Sequence, residues 1–512
     1  MTHRLVVVGD TLLDRDVDGM VTRLCPDVPV PVLEEATTLD RPGGAGLAAL
    51  FAARQGFDVA LVTALADDDG GARLRELLAD AGIEVHVLPL PGATAEKIRL
   101  RARGQVLLRL DRGGAAGRPG EPPPAARAAL AGAAAILVSD YGRGVAAAPA
   151  VRAALARTSA PVVWDPHPRG PRAAPGVRLV TPNENEVRQL TGDGPDGSRL
   201  ATASRGAQEL RRRWRAGAVA VTMGGDGALL CHSGPTPLVV PAPANADGDT
   251  CGAGDLFAAT ATGALAQGAL VSEAVQEAVR EATEYVAAGG VGAALVPGPG
   301  SGAAVKAAYR RPTGTGVYGD RPAGAGPRHT GDDGAGAPPH RPDGADGHSV
   351  AAGALVADVR ARGGTVVATG GCFDLLHAGH VATLQAARRL GDCLVVCLNS
   401  DASVAGLKGP ERPVVPQGDR SRLLAALGCV DAVVIFDEAT PHAVLSWLRP
   451  DVWVKGGDYA GGGGDEPDLP EAALVRRWGG QTVVVPYLDG RSTTGMIAAA
   501  RSGAGRPAEE AR

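Results

Sequence analysis

One long stretch near the middle of this chain forbids a single continuous core. From Arg310 to Ser349 it reads RRPTGTGVYGDRPAGAGPRHTGDDGAGAPPHRPDGADGHS, crowded with glycine and proline and nearly free of apolar side chains. Such a segment cannot bury enough surface to offset the entropy of ordering it. The 512 residues are therefore expected to form two folded units, 1–309 and 349–512, joined by a flexible linker over 310–348. The linker histidines His329, His340 and His348 are spaced too widely to read as a metal site and are taken as solvated. A tether of this kind predicts two units that act independently and share mainly local concentration.

Before the linker, most of the apolar runs LVVVGD, DVALVTAL, AAILVSD, PVVWDP, VRLVTPN and AVAVTMGG end at Gly, Asp or Asn, and most precede Ala-rich helical patterns. That rhythm is the signature of an α/β fold with a parallel sheet and functional loops at the strand C-termini. VPVPVLEE and the alternating stretch KIRLRARGQVLLRLD read instead as antiparallel strands of a small β lid. After the linker, TVVATGG, CLVVCLNS, AVVIF, DVWVKGG and TVVVPY repeat the pattern on the scale of one Rossmann-like domain.

The net charge of −5 argues against a bulk nucleic-acid binder, so anion binding must be local. Seven cysteines without a CxxC pair form neither a disulfide framework nor a zinc pattern, which fits a reducing cytoplasm. The opening MTHRLVVVGD has no signal-peptide architecture, and no apolar run is long enough to span a bilayer, so no membrane association is expected.

Two motifs carry chemistry. The first, DTCGAGD at 249–255, precedes an amphipathic helical pattern, so the amides of Gly252, Ala253 and Gly254 at a helix start would form an anion hole. Asp255 is then placed to accept a proton from an attacking hydroxyl. By itself the stretch also fits an ordinary glycine-rich helix cap. Other segments point the same way. In TPNENE, Asn183 and Glu186 are placed to hold a hydrated Mg²⁺ beside ATP through water, with no direct side-chain ligation of the metal expected. VTMGGDG offers Gly225 and Gly227 to a nucleotide edge, RPGGAG offers Gly43 and Gly44 for close backbone approach, and Asp10 with Asp14 could bind sugar hydroxyls.

Together these residues resemble the ribokinase (PfkB) family of sugar kinases across 1–309, and the resemblance implies a three-layer fold, Asp255 as catalytic base and Asn183 with Glu186 around the metal. VVGDTLLDR, CPDVPVPV and SDYGRG narrow it to the kinase half of the bifunctional heptose kinase/adenylyltransferase family, which phosphorylates D-glycero-β-D-manno-heptose 7-phosphate at O1. A substrate already phosphorylated needs cations, and Lys97, Arg99, Arg103 and Arg109 on the lid supply them; a solvated strand face is the competing reading for each. The chain departs from the family at Leu47, where related kinases carry Asn, and at Arg143 and His167, where they carry Lys.

The second motif, GGCFDLLHAGH at 370–380, follows a strand and opens a helical pattern. His377 and His380 share one helix face and can donate to triphosphate oxygens; metal ligation is the alternative, but HxGH lacks a third ligand nearby. The motif resembles nucleotidyltransferases of the cytidylyltransferase type. That likeness implies ATP contacts from Phe373, Lys408, Arg420 and the hydroxyls of Ser492, Thr493 and Thr494, with Arg412, Lys455 and Asp458 in neighbouring loops and Asp374 bracing the motif.

The resemblance as a whole implies an enzyme of ADP-heptose synthesis that uses ATP and Mg²⁺ and acts on small-molecule sugar phosphates. A separate phosphatase would act between the two steps, and pairing through lid strands would make a homodimer. The alternatives are another sugar or polyol phosphate with CTP as donor, or one unit that is catalytically silent and regulatory.

Overall fold

A computed structural model describes residues 3–113, 117–192, 194, 198–232, 234–243, 246, 248–291, 347–457 and 470–486. The first unit contains strands β1 (Arg4–Gly9), β2 (Thr11–Leu24), β3 (Pro31–Gly44), β4 (Asp58–Leu65), β5 (Glu84–Pro89), β6 (Glu96–Ala102), β7 (Gln105–Arg112), β8 (Ala135–Ser139), β9 (Val162–Asp165), β10 (Leu179–Val180), β11 (Ala218–Thr222), β12 (Ala228–Cys231) and β13 (Leu238–Val240). The second contains β14 (Val366–Gly371), β15 (Cys393–Asn399), β16 (Ala432–Phe436), β17 (Val452–Gly457) and β18 (Gln481–Pro486).

The main sheet of the first unit runs β13-β12-β11-β10-β9-β8-β1-β4-β5, parallel except at β11–β12 and β12–β13. Near-continuous Val, Ile, Leu and Ala in these strands reflect burial on both faces by flanking helices. Trp164 of β9 and Trp453 of β17 are wholly buried. Because the strands run parallel, their C-terminal ends gather Asp10, Ser139, Asp165 and the turn after Thr222 along one edge.

The lid is a second sheet ordered β3-β2-β6-β7. Its core strand β2 and the parallel pairing of β2 with β6 depart from the antiparallel pair that the sequence predicts. Charge alternation explains why β2 escapes notice: Asp14, Asp16 and Asp18 fall on one face, and in-register partners Lys97, Arg99 and Arg101 of β6 answer them. A strand whose acidic residues are neutralised across the sheet does not look like a strand in isolation.

The second unit begins with helix Gly347–Ala361 and forms the parallel sheet β16-β15-β14-β17-β18. Its edge strand β18 pairs in parallel with β13, Leu238 opposite Val484, so one continuous sheet crosses both units. The expectation of two merely tethered units is corrected here: both sheets have an open edge, and joining them satisfies backbone groups that would otherwise face solvent.

Candidate active sites

In the first unit, helix Ala253–Ala266 starts at Gly252, whose backbone is left-handed with φ of 81°. A Cβ there would lie 2.9 Å from Leu47 Cδ2 and 3.0 Å from the Tyr285 hydroxyl, so only glycine fits. Leu47 is thus buried beneath the loop as apolar support, and Tyr285 donates to the Cys251 carbonyl at 2.7 Å to pin it. Of the three amides expected to form an anion hole, that of Ala253 already donates to Thr250 O at 3.1 Å, which leaves those of Gly252 and Gly254 as the candidates.

Asp255 follows in the first helical turn and is buried. Burial pushes its carboxyl up to about 7, against the opposing effects of a Tyr141 hydrogen bond and the Lys97 charge. The Tyr141 hydroxyl donates to both carboxylate oxygens, at 2.8 and 3.0 Å, and Lys97 Nζ lies 5.6 Å from the centre of the Tyr141 ring. A buried carboxyl poised near neutrality beside a helix N-terminus is the arrangement a general base requires. Tyr141 was not singled out in the sequence; its signal was the SDYGRG stretch, a strand end on the same edge as Asp255. Asp165 was missed likewise: it is half-buried at the end of β9, accepts from Thr181 Oγ1 at 2.9 Å, and is pushed well above the carboxylate range by desolvation and by Glu186, Asp255 and Asp140.

Asn183 and Glu186 form a reciprocal capping box on helix Glu184–Thr191, with bonds of 3.0 and 2.8 Å. Glu186 is raised by burial while its bonds to Asn183 hold it down. The mutual repulsion of Glu186, Asp165 and Asp255 creates a negative field that fits a hydrated divalent cation. Among the described residues no group of three or more His, Cys, Asp or Glu is arranged to ligate a metal directly.

Asp10 requires correction as a sugar ligand. Its carboxylate accepts the backbone N–H groups of Tyr141, Arg143 and Val145 at 3.1, 2.9 and 3.0 Å, so it shapes the loop that presents Tyr141. Asp14 accepts from Arg99 Nη1 at 2.9 Å, and a Cβ on Gly43 would come within 2.6 Å of its Oδ2. Gly44 sits at φ of 61°, where a Cβ would meet Asp10 O at 2.5 Å. On the lid, Lys97 and Arg99 share a face with Arg109, which lies opposite Arg99 and is paired to Asp111 at 2.8 Å. Arg103 is corrected: it occupies the exposed β6–β7 turn at φ of 50°, four residues beyond Arg99 and so about 13 Å further along the strand. His167 packs over Gly142; burial, Arg169, Lys97 and Arg143 all disfavour its protonated form, so these cations share one region.

Gly225 and Gly227 line a cleft with Thr222, Ala242, Phe257 and Val286 whose floor reaches Gly254. Its lining is mostly apolar, interrupted by the glycine backbone of Gly224, Gly225, Gly227 and Gly254, a combination suited to a nucleotide.

In the second unit His377 caps helix Ala378–Arg388, its Nδ1 accepting from Gly379 N at 3.1 Å. That bond makes Nδ1 the acceptor and so places the ring proton of the neutral imidazole on Nε2. The His377 and His380 rings stack with centroids 4.0 Å apart. Burial, His377 and Lys408 push His380 down to about 4. Lys408 Nζ lies 3.0 Å from Cys372 Sγ, at the mouth of the same loop. Asp374 is buried and accepts from Val414 N and Val415 N at 2.7 and 3.0 Å and from Arg412 Nε, which braces the motif as expected from its position.

Two expected ATP contacts are corrected. Arg420 is 1% exposed and donates to the carbonyls of Val415, Cys372 and Asn399 and to Asp401, so four of its five N–H groups are spent inside the protein and its side chain presents almost no surface to a phosphate. The Phe373 side chain is buried and packs against the His380 ring at a tilt, centroids 5.3 Å apart. Lys455 pairs with Glu471 at 2.8 Å. Asp458, Ser492, Thr493 and Thr494 lie outside the described residues.

Comparison with known proteins bears on both units. The family described as pfkB family carbohydrate kinase matches residues 2–297, and the cytidylyltransferase-like family matches 368–471. A protein named bifunctional protein HldE from Streptomyces coelicolor is 54% identical over 501 residues, covering 98% of this chain and 97% of its own. Its namesake from Halorhodospira halophila is 38% identical over 506 residues, 98% of this chain and 97% of its own. A solved structure of the tetrameric inhibited form of phosphofructokinase-2 from Escherichia coli is 21% identical with a TM-score of 0.45, over 57% of this chain and 96% of that one.

Proposed function

The chain belongs to the family of bifunctional HldE proteins, and from that premise we propose how its residues divide the work. It is a bifunctional enzyme of ADP-heptose synthesis, a heptose 7-phosphate kinase joined to a heptose 1-phosphate adenylyltransferase. The observation that carries the kinase assignment to particular atoms is the buried Asp255 carboxyl, held by Tyr141 beside the amides of Gly252 and Gly254.

In the kinase, the sugar lies between the lid and the strand ends, with Asp14 and the Gly43 backbone on its hydroxyls. Lys97, Arg109, Arg143 and His167 face its phosphate; Leu47 leaves the sugar pocket one polar group poorer than in related kinases. Asp255 takes the proton from the anomeric hydroxyl as that oxygen attacks the γ-phosphorus of ATP; ADP leaves. Asp165 and Glu186 would hold a hydrated Mg²⁺, which supplies neutralising charge between phosphate oxygens. In the adenylyltransferase, the sugar 1-phosphate oxygen attacks the α-phosphorus and pyrophosphate leaves, with His377 Nε2–H, His380 and Lys408 donating to the phosphate oxygens. The 7-phosphate must be removed between the steps, which calls for a separate phosphatase.

The lid exposes the apolar side chains of Met20, Leu24, Leu39, Val106 and Leu108, and a second copy of the chain would cover part of this surface. Among the described residues no helix is long and apolar enough to cross a membrane. With nucleotide and sugar phosphate as substrates, we place the enzyme in the cytoplasm.

Phosphorus NMR tests the scheme. Heptose 7-phosphate, ATP and Mg²⁺ should yield a 1,7-bisphosphate signal lost only in Asp255→Ala; when heptose 1-phosphate, made by phosphatase treatment of the wild-type product, is supplied to each variant with fresh ATP, an ADP-heptose signal should be lost only in His377→Ala. Retention of either signal in its variant refutes that assignment.

A further inference from the structure

The two enzymes meet at the nucleotide cleft of the first. β13 ends at Val240, and two residues on, buried Ala242 forms part of the cleft wall. This backbone also touches the other wall: a Cβ on Gly227 would lie 2.1 Å from Val240 O and 2.7 Å from Ala242 N. The strand end and the glycine turn therefore move together or not at all.

What holds this strand end comes from the second unit. Val484 N donates to Pro237 O at 3.0 Å, and the Val484 side chain is buried in the kinase's own apolar cluster with Leu238, Val240 and Ala242. Arg389 Nη1 donates to the Ala242 carbonyl. Arg389 is the C-cap of helix Ala378–Arg388, whose N-cap is His377, so one rigid element about 18 Å long links the adenylyltransferase's phosphate-binding end to the kinase's nucleotide wall.

We infer that the adenylyltransferase unit is a working part of the kinase's nucleotide site: Arg389 and strand β18 hold the Val240–Ala242 wall in its binding position, and the two nucleotide sites are coupled through helix Ala378–Arg388. This rests on the cleft being the kinase's ATP site. Arg389 acts as a positioning residue. It touches neither sugar nor phosphate, and Asp255 stands on a different element, so its loss should act on nucleotide binding and spare the chemical step.

The test is made on the full chain with kinase initial rates at varied ATP. Arg389→Ala, at an exposed side chain, is expected to raise the kinase KM for ATP about 3- to 10-fold, the worth of one hydrogen bond, with kcat within about twofold. Arg389→Lys, which keeps a donor, should recover part of the change. Val484→Pro removes the N–H that bonds Pro237 and should act in the same direction. Unimpaired adenylyl transfer by Arg389→Ala shows that its own unit is intact. An unchanged KM in Arg389→Ala with normal adenylyl transfer overturns the inference, as does an equal fall in kcat. Absence of kinase turnover in the unaltered chain would instead overturn the reading of the cleft on which it rests.

Discussion

Replacing Tyr141 with Phe removes one hydroxyl and leaves the ring, and with it the Lys97 contact, in place. The lost group is the donor to both oxygens of Asp255, at 2.8 and 3.0 Å. A hydrogen bond to a charged acceptor contributes about 1.5–3 kcal/mol, and one hydroxyl shared between two oxygens belongs at the lower end. The bond favours the carboxylate, so its loss raises the Asp255 pKa. At 1.36 kcal/mol per unit, the value moves from about 7 to roughly 8 or somewhat above. The base must be ionised to accept the sugar proton. At pH 7 the active fraction then falls from about half to roughly a tenth or less, and the rate about 5- to 20-fold, with recovery above roughly pH 9. The assay is kcat/KM for ADP release from pH 5.5 to 9.5, since that ratio titrates the free enzyme. If Tyr141→Phe lowers the rate equally at every pH, the hydroxyl does not tune Asp255 and the reasoning fails.

Three further outcomes follow from the same geometry. Asp255 holds its proton more tightly folded, at about 7, than an unfolded Asp at about 3.9, so wild-type stability falls as pH rises between those values, by at most about 4 kcal/mol. Asp255→Asn should therefore melt near the wild type at about pH 4 and above it at pH 8; a constant gap between the two melting curves contradicts this. Arg420→Met should lower thermal stability by about 3 kcal/mol, because four acceptors lose one buried donor, while a raised KM for ATP at unchanged Tm would restore the phosphate-binding role. Gly43→Ala forces a methyl to within 2.6 Å of Asp14 Oδ2 and Leu12 Cδ1, so kinase KM for the sugar phosphate should rise several-fold with adenylyl transfer untouched; an unchanged KM would remove Asp14 from the sugar site.

Local pattern determined a great deal of this protein. The apolar runs of both units became strands of the continuous main sheet, because a strand buried on two faces must be apolar along its whole length. The glycine before Asp255 and the histidines of HAGH were legible because a helix N-terminus that binds phosphate needs particular residues at adjacent positions. Tertiary structure decided what each charged side chain does. Asp10 and Arg420 look like ligands in sequence, yet both answer backbone groups brought to them by distant segments, and nothing in their neighbours reveals that. Tyr141 acquires its role only where the ends of β8 and of helix Ala253–Ala266 converge, 114 residues apart in the chain. The docking of β18 on β13 was equally hidden, since an open sheet edge is a property of strand order and not of any strand's composition.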